Sequence, residues 1–289
     1  MKSGFVNIFG KPNAGKSTLV NALVGEKLAI VSHKSQTTRH RIRAFLNGPD
    51  YQIIFSDTPG IIQPEYKLHE RMMQAVRSSL EDADLAILLF DARQAPEEAD
   101  AIFSQLRLKV PSIVVINKID LVKPAVVEKA MAFFCDKKYC KELVVISALK
   151  KDNLDKLMEL ILRYLPEGEA FFDPEDLTDM PTRFFAGEII REKIFELYEQ
   201  ELPYQTTVQV REFKEKQTLI KITADIIVQR ESQKAIILGE GGKMIKRLGT
   251  DARKDIEVFL GSKVFLELFV KVRPGWRDND LHLKEYGYT

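Results

Sequence analysis

The sequence predicts two consecutive domains, an α/β domain with a doubly wound, mostly parallel sheet and a smaller α+β domain. Residues 1 to about 165 alternate short β-rich runs with helix-length polar segments, whereas the later residues follow the order α-β-β-α-α-β. Three of the first runs are almost entirely apolar, at 85–90, 112–116 and 142–146. Because a sheet that is covered by helices on both faces needs such strands, these runs indicate the doubly wound architecture.

The remaining elements of the first domain are weaker in pattern but regular in order. They are strands at 5–9, 41–46 and 51–56, and helices at 67–80, 97–108, 124–137 and 153–164. Residues 166–181 are rich in Pro, Gly and acidic side chains and have no regular period, which indicates an ordered or semi-ordered linker. We therefore place the first domain at 1–165, the linker at 166–181 and the second domain at 182–289.

The second domain is predicted to begin with a long amphipathic helix. The later elements are strands at 206–213 and 218–228, a short helix, a Gly-rich turn at 239–242, a helix to about residue 260 and a strand at 264–272; the first helix is placed at about 184–200.

Composition places few limits on function. Of the 289 residues, 45% are hydrophobic and 29% are charged, and the net charge is +1, so any basic binding surface must be local. No apolar run approaches the length of a membrane span, and the first strand leaves no room for a signal peptide. Cys135 and Cys140 are expected to be reduced thiols, and we expect a cytoplasmic protein.

A phosphate-binding loop follows the first predicted strand and leads into a helix. At such a turn, backbone N–H groups and the helix N-terminus point at a phosphate. Lys16 is expected to reach the terminal phosphates, and the Ser17 hydroxyl to bind Mg²⁺. The predicted nucleotide-binding residues here are Gly10, Lys11, Pro12, Asn13, Ala14, Gly15, Lys16 and Ser17.

A second phosphate segment ends the third strand. It consists of Asp57, Thr58, Pro59, Gly60 and the following Ile61. The Asp57 carboxylate can reach the Mg²⁺ shell through water, and Gly60 offers a backbone N–H to a γ-phosphate. Ile61 stands where Ras-type enzymes use a Gln to orient the attacking water, and it cannot form that hydrogen bond. Backbone groups, another side chain or a partner must therefore position the water.

Two further strand ends predict guanine as the base. Asn117, Lys118, Ile119 and Asp120 follow one apolar strand, and Ser147 and Ala148 end the next. The Asp120 carboxylate can accept hydrogen bonds from N1–H and the 2-amino group of guanine, whereas adenine would leave it unpaired. Backbone N–H groups at 147–148 can meet the guanine carbonyl oxygen. Taken alone, each segment also fits an ordinary polar turn; their order and position favour GTP.

The segment 34–40 lies between the first helix and the second strand. A threonine here, Thr37 or Thr38, can complete the Mg²⁺ coordination while the γ-phosphate is present. Arg39, Arg41 and Arg43 alternate with less polar residues, which favours a solvated strand face over an arginine finger.

A G-x-x-G loop lies between two helices of the second domain. KH domains use such a loop to clamp about four single-stranded nucleotides, because glycines let the sugar-phosphate backbone approach closely. The following helix is basic, although Glu240 places an acid within the loop. The predicted RNA-binding residues are Gly239, Glu240, Gly241, Gly242, Lys243, Lys246 and Arg247. Trp276, the only tryptophan, fits either stacking on a base or packing of the C-terminus.

These segments resemble the ordered motifs of translation-factor-related GTPases, and nearly the whole chain resembles the Era family of bacterial GTPases. The likeness extends through Gln36 to His40, Glu188 to Lys193, Glu201 to Tyr204 and Val270 to Trp276. It implies a G domain followed by a type II KH domain. It also implies slow GTP hydrolysis, binding near the 3′ end of 16S rRNA, assistance to 30S ribosomal subunit assembly and peripheral membrane association. We expect a monomer.

The resemblance also implies roles for single residues. Thr38, the second threonine, is preferred over Thr37 as the Mg²⁺ ligand beside Ser17 and Asp57. The implied catalytic residues are Lys16, Thr38, Asp57, Gly60 and Asn13. Some relatives with an asparagine at the Asn13 position use K⁺ in place of an arginine finger, so K⁺ is expected to stimulate turnover. RNA is also expected to stimulate it.

Two classes of function remain open at this stage. The protein is either a switch that hydrolyses GTP to control RNA binding, or an RNA-binding scaffold with GTP as a structural ligand. The intact set of Lys16, Ser17, Thr38 and Asp57 favours the switch, because a structural nucleotide needs no Mg²⁺-coupled segments. A P-loop kinase is disfavoured by Asn117 to Asp120.

Overall fold

The computed structural model describes residues 1–32, 34 and 36–288, and these divide into two compact units. The first unit comprises residues 1–64 and 72–179, and the second comprises residues 65–71 and 180–289. The first is an α/β unit and the second an α+β unit, which confirms the predicted fold class. Ser35, within the predicted 34–40 segment, lies outside the described residues.

The first unit contains a six-stranded sheet in the order β2-β3-β1-β4-β5-β6. Only the pair β2–β3 is antiparallel, and the other neighbours are parallel. The strands are β1 (Lys2–Phe9), β2 (Ile42–Gly48), β3 (Tyr51–Asp57), β4 (Leu85–Asp91), β5 (Ser112–Asn117) and β6 (Glu142–Val145). Every residue of β4 and β5 is buried, as the apolar runs predict for central strands.

Helices connect these strands at the predicted places. They are α1 (Lys16–Val24), α2 (Lys67–Glu81), α3 (Pro96–Phe103), α4 (Pro124–Cys135) and α5 (Leu154–Tyr164). Helix α3 is shorter than predicted, because a 3-10 turn follows it and Arg107 adopts a left-handed conformation with φ = +49°. A residue in this conformation ends a helix.

Residues 166–179 are ordered and pack along the first unit. The Phe172 ring stacks on Phe45 with centroids 4.1 Å apart, and the Gln52 side chain donates a hydrogen bond to the Phe172 carbonyl at 2.9 Å. The backbone N–H of Phe45 donates to the Leu177 carbonyl at 2.8 Å. The segment that we predicted as a linker therefore covers the free edge of β2, because its aromatic and backbone groups find partners there.

The second unit contains a three-stranded sheet in the order β7-β8-β9, with β7–β8 antiparallel and β8–β9 parallel. Its elements are α6 (Thr182–Leu197), β7 (Thr207–Glu215), β8 (Ile220–Val228), α7 (Glu231–Leu238), α8 (Lys243–Leu260), β9 (Val264–Val272) and α9 (Asp280–Glu285). Alternate strand residues, such as Ile222 and Leu266, form the core with α6, α7 and α8. Helix α9 is an element that sequence reasoning missed.

Helix α6 does not have the amphipathic character that we predicted. Every residue from Phe185 to Glu192 is buried, charged side chains included, and so are Ile194 and Phe195. Arg191 is 1% exposed and donates hydrogen bonds to both carboxylate oxygens of Glu188, at 2.8 and 2.5 Å. Because the two charges neutralise each other, the helix is buried without an apolar stripe.

Trp276 packs the C-terminus and does not offer a stacking surface. Its ring is fully buried, its Nε1–H donates to the Gln205 carbonyl at 3.1 Å, and Tyr286 meets it edge to face. The packing alternative is thus the one that the structure supports.

Within the described part of the chain, no helix combines the length and the apolar character that a bilayer crossing requires.

Candidate functional sites

The phosphate-binding loop joins β1 to α1, as predicted. Gly15 has φ = +101°, and a Cβ atom there would lie 2.4 Å from Nδ2 of Asn117. At Gly10, a Cβ atom would lie 2.5 Å from the carbonyl oxygen of Leu89. Both positions require glycine, the first for its conformation and both for the close approach of neighbouring groups.

The Lys16 ammonium group is turned back onto this loop. Its side chain is buried, and Nζ donates to the Gly10 carbonyl at 3.2 Å and to the Lys11 carbonyl at 2.9 Å. Burial lowers the pKa of Lys16 to about 8, although nearby Asp57 opposes this shift. A bound phosphate would supply the negative charge that this buried ammonium group needs.

Three side-chain oxygens converge beside Lys16. The Ser17 hydroxyl donates to Asp57 Oδ2 at 2.6 Å, Thr38 Oγ1 donates to the same atom at 3.2 Å, and the two hydroxyls are 2.9 Å apart. Asp57 is fully buried, and its Oδ1 has no hydrogen-bond partner among the described residues. Burial raises the pKa of Asp57, while the bonds from Ser17 and Thr38 oppose the rise. A buried carboxylate with an unpaired oxygen and two hydroxyls fits Mg²⁺, which prefers oxygen ligands.

The structure distinguishes between the two candidate threonines. Thr37 Oγ1 donates to the Lys34 carbonyl at 2.8 Å, whereas Thr38 reaches Ser17 and Asp57. This arrangement supports Thr38 as the metal ligand.

The segment after Asp57 packs directly on the phosphate loop. Thr58 Oγ1 donates to the Ile8 carbonyl at 2.6 Å, and the Ile61 N–H donates to the Gly10 carbonyl at 3.2 Å. A Cβ atom at Gly60 would lie 2.7 Å from the backbone nitrogen of Pro12. Only glycine fits at position 60, because the backbone there lies directly against the phosphate loop.

The two predicted base-binding segments meet at the phosphate loop. Asn117 Nδ2 donates to the Ala14 carbonyl at 2.9 Å, and its Oδ1 accepts from the Ala148 N–H at 3.0 Å. Ser147 Oγ donates to Asp120 Oδ1 at 2.6 Å, and Asp120 is exposed. Ser147 thus orients a carboxylate that remains open to a ligand. The Ala148 N–H, which we predicted to meet the guanine carbonyl, is engaged with Asn117 here.

Asp91 is a residue of this site that sequence reasoning missed. It ends β4 with 1% exposure, and its Oδ2 accepts from Lys118 Nζ at 2.9 Å and from Arg93 at 2.7 Å. Burial acts to raise the pKa of Asp91, but the hydrogen bonds from Arg93 and Lys118 hold it below its ordinary value. Lys118 also donates to the Asn13 carbonyl, so Asp91 fixes a lysine that spans the base and phosphate segments. The sequence signal that could have identified Asp91 is its position directly after the apolar run at 85–90.

The alternating arginines do not form the solvated strand face that we predicted. Arg39 is 3% exposed, and Arg41 binds Asp82 at 2.7 Å and the Ser56 hydroxyl at 2.8 Å. Arg43 also reaches Asp82, at 3.4 Å. Arg41 and Arg43 are half-buried, and both pair with the carboxylate of Asp82.

The G-x-x-G loop joins α7 to α8 in the second unit. Gly239, Gly241 and Gly242 have φ values of +69°, +58° and +75°, in the left-handed region that favours glycine. A Cβ atom would meet nothing within 4 Å at Gly241 or Gly242. These two glycines therefore leave open space above the N-terminus of the 18-residue helix α8.

Exposed cations surround this opening. Lys243, Lys246 and Arg247 lie in the first turns of α8 and are exposed, and Arg247 is 3.8 Å from Asp251. The helix N-terminus adds positive potential at the same place. Glu240 is also exposed, so one acid accompanies the predicted phosphate-binding cations.

Fold and sites together define a P-loop nucleotide-binding protein that carries a KH-type domain. Residues 5–118 match the family model of the 50S ribosome-binding GTPases, and residues 201–277 match that of the KH domain. GTPase Era from Geobacter metallireducens is 46% identical over 292 aligned positions, covering 100% of this chain and 98% of the relative. The chloroplastic GTPase ERA-like protein of Oryza sativa is 45% identical and aligns with 99% of this chain and 69% of its own.

Two solved structures match over the full chain. Aquifex aeolicus Era, as a variant bound to GDP and AlF4⁻, has a TM-score of 0.94 at 41% identity, with 100% of both chains covered. Era in complex with MgGDPNP and nucleotides 1506–1542 of 16S rRNA has a TM-score of 0.94 at 42% identity, covering 100% of this chain and 99% of that chain. The chain belongs to the Era family of GTPases.

Proposed function

We propose that this protein hydrolyses GTP to control its binding to the 3′ region of 16S rRNA, and that it thereby assists maturation of the 30S ribosomal subunit. The observation that carries the proposal is the presence of both sites on a chain that matches the RNA-bound Era complex end to end. The convergence of Ser17, Thr38 and Asp57 beside the phosphate loop and the open space at the G-x-x-G loop support the proposal.

The proposed phosphate site uses backbone N–H groups within residues 10–17, except at Pro12, which has none, and the Lys16 ammonium group to hold the β- and γ-phosphates. Ser17, Thr38 and Asp57 would hold Mg²⁺, which when bound neutralises charge on these phosphates. Because Thr38 and Gly60 lie on the two segments that approach the γ-phosphate, these segments would loosen after hydrolysis.

The proposed base site reads guanine through Asp120, which accepts hydrogen bonds from N1–H and the 2-amino group. Ser147 holds this carboxylate in place. Asn117 ties the base segments to the phosphate loop, so that base and phosphate recognition share one rigid frame.

Positioning of the attacking water differs from that in Ras-type enzymes, because the Ile61 side chain offers no hydrogen bond. We propose that a K⁺ ion held near Asn13 stabilises the charge that develops on the phosphates. Two observations support this proposal: Asn13 is exposed within the phosphate loop, with φ = +63°, and Ile61 supplies no side-chain hydrogen bond.

The proposed RNA site is the G-x-x-G loop with the start of α8. The open space at Gly241 and Gly242 admits a sugar-phosphate backbone, and Lys243, Lys246 and Arg247 neutralise its phosphates. A cytoplasmic, monomeric protein with peripheral membrane association is proposed from the family resemblance alone, and sedimentation with and without vesicles would test it.

Single-turnover GTP hydrolysis tests the proposal, with and without an RNA of the 1506–1542 sequence. We expect measurable turnover that this RNA increases, and no increase with a shuffled RNA of the same length. Binding of the RNA without turnover under either condition would contradict the switch and favour an RNA-binding scaffold.

A further inference from the structure

The sheet of the second unit has one face that the core helices do not cover. Strand alternation places Phe265, Phe269 and Lys271 of β9 on this face, since Leu266, Leu268 and Val270 face the core. Asp225 of β8 pairs with Phe269 and with Gln209 of β7, so it lies on the same face. We call this surface the open sheet face.

Two aromatic rings stand exposed on the open sheet face. Phe265 is 48% exposed and Phe269 is 46% exposed, and they lie four residues apart on one strand. Their separation along the strand is therefore about 13 Å. The guanidinium carbon of Arg211 lies 5.2 Å from the Phe269 ring centroid. Exposed aromatic rings with an adjacent guanidinium group are surfaces on which nucleic-acid bases stack.

A polar cavity of about 190 Å³ opens on the same face. Its lining includes Gln209, Arg211, Asp225, Lys271, Arg273 and Tyr286. We call it the basic pocket, because its cations are Arg211, Lys271 and Arg273, against the carboxylates of Asp225 and Glu285.

The buried carboxylate of Asp225 forms ion pairs with two of the cations that line the basic pocket. Asp225 is 2% exposed, and its carboxylate pairs with Arg211 Nε at 2.8 Å and with Lys271 Nζ at 2.6 Å. Each of the two cationic side chains remains 42% exposed. The buried carboxylate of Asp225 thus fixes the side chains of Arg211 and Lys271 at the surface. Their N–H groups that do not bind Asp225 remain available to a ligand.

A strand irregularity explains how Arg211 reaches this position. The register of β7 with β8 shifts between Val210 and Glu212, so Arg211 is the extra residue of a β-bulge. Bulges re-aim side chains at functional surfaces. The other acids of the face, Glu212 and Glu267, are paired with Lys221 at 3.2 and 3.5 Å.

We infer that the open sheet face is a second binding site for single-stranded RNA, separate from the G-x-x-G loop; this inference rests on the proposed function. Bases stack on Phe265 and Phe269, while a backbone phosphate enters the basic pocket. An acidic peptide would satisfy the three cations but would leave two flat rings without a matching partner, which favours RNA.

RNA affinity of the full-length protein tests this inference by fluorescence anisotropy, with the 1506–1542 RNA and a 12-nucleotide oligouridylate as probes. The double variant Phe265→Ala/Phe269→Ala should bind the long RNA at least about tenfold more weakly, because each base stack contributes a several-fold gain in affinity. Phe265→Tyr/Phe269→Tyr should retain the wild-type affinity. Val258→Ala, at an apolar position of α8 that is 84% exposed, is the control and should change nothing.

Two further measurements separate this site from the loop. Lys271→Gln should lower the slope of log K against log salt by about 0.7, the contribution of one phosphate contact in a single strand. In a Gly241→Asp background, the residual affinity for the oligouridylate should fall again when both phenylalanines become alanine.

The outcomes distinguish the inference from the proposed function. Wild-type protein that binds neither RNA would contradict both. Normal RNA binding by a folded Phe265→Ala/Phe269→Ala protein, checked by its thermal melt, would overturn the inference alone. If that variant instead lost binding to 30S subunits while its RNA affinity stayed intact, the face would serve a protein partner and the inference would be wrong.

Discussion

Asp57 shows how single side chains prepare the nucleotide site. One carboxylate oxygen accepts from Ser17 and Thr38, while the other is buried without a partner among the described residues. An unpaired buried acceptor destabilises the protein by about 1–3 kcal/mol. A cation bound at Asp57 would remove this cost in folding free energy. Because the same cation would also contact the phosphates, we expect ion and nucleotide to bind together.

Base recognition is tested by Asp120→Asn. The affinity for GTP should fall at least about hundredfold, because two hydrogen bonds to a charged acceptor are lost. Xanthosine triphosphate should bind better than before, since the amide offers an N–H to the C2 carbonyl of xanthine. Nucleotide titration measures both, and Asp155→Asn, on an exposed position of α5, is the control. Retained GTP affinity would refute the assigned role.

The monovalent ion is tested by comparing hydrolysis in KCl and NaCl at equal ionic strength. Turnover of the wild-type protein should be at least about tenfold faster with K⁺, because a cation near the phosphates stabilises the charge of the transition state. Asn13→Ala should remove the difference between the two salts. Equal rates of the wild-type protein in both salts would contradict the K⁺ proposal.

The two cysteines should differ in reactivity with pH. Cys135 is exposed, whereas burial raises the pKa of Cys140 to about 11. Since the thiolate is the reactive form, alkylation of Cys140 at pH 8 should be at least about tenfold slower than that of Cys135. Its rate should continue to rise as the pH approaches 11. Peptide mass spectrometry after iodoacetamide treatment measures both sites; equal rates at pH 8 would contradict this prediction.

At the scale of elements, the strands and their ends were predictable and the exceptions were not. Continuous apolar runs predicted β4 and β5, and the polar residues at the end of β5 predicted part of a site, because ligands of such sheets bind at the carboxyl ends of the strands. The helix at α6 was predicted but its burial was not, because its buried Glu188–Arg191 pair has the sequence pattern of a solvated surface. The Arg211 bulge and the Asp91–Lys118 contact depend on strand register and on long-range pairing, which local patterns do not encode.

The G-x-x-G loop is tested as an element by Gly241→Asp. The affinity for the 1506–1542 RNA should fall at least about tenfold, because the new carboxylate faces the phosphates at a position with open space. GTP hydrolysis without RNA should be unchanged. The control is Gly261→Asp at the end of α8, where φ = +62° and the space is also open, so that the backbone strain is matched. Equal loss of RNA binding in both variants would mean that strain, not the loop, was responsible.

At the scale of the whole molecule, each of the two compact units carries one of the proposed ligand sites. A switch requires that the ligands of these sites influence each other, and such coupling is reciprocal in equilibrium binding. A scaffold with structural GTP requires no coupling. The switch and the scaffold thus differ in the coupling free energy between nucleotide and RNA binding, which binding measurements supply.

Reciprocity gives a quantitative prediction for the full-length protein. The 1506–1542 RNA should bind about tenfold tighter with GDPNP than with GDP, within the range of ordinary allosteric coupling. The same RNA should then favour GDPNP over GDP by the same factor. Titrations in both directions measure the two ratios, and ratios of one would contradict the switch.

The strand β2 lies at the end of the six-stranded sheet, where residues 166–179 cover it. An uncovered strand edge is a template for pairing with another chain and a common origin of aggregation. Residues 166–179, which appear in the sequence as a linker, therefore also protect the edge of β2 from pairing with another chain. A nascent chain that does not yet include residues 171–178 would expose this edge. The first unit is therefore protected from self-association only after synthesis has continued past residue 165, the predicted end of the first domain.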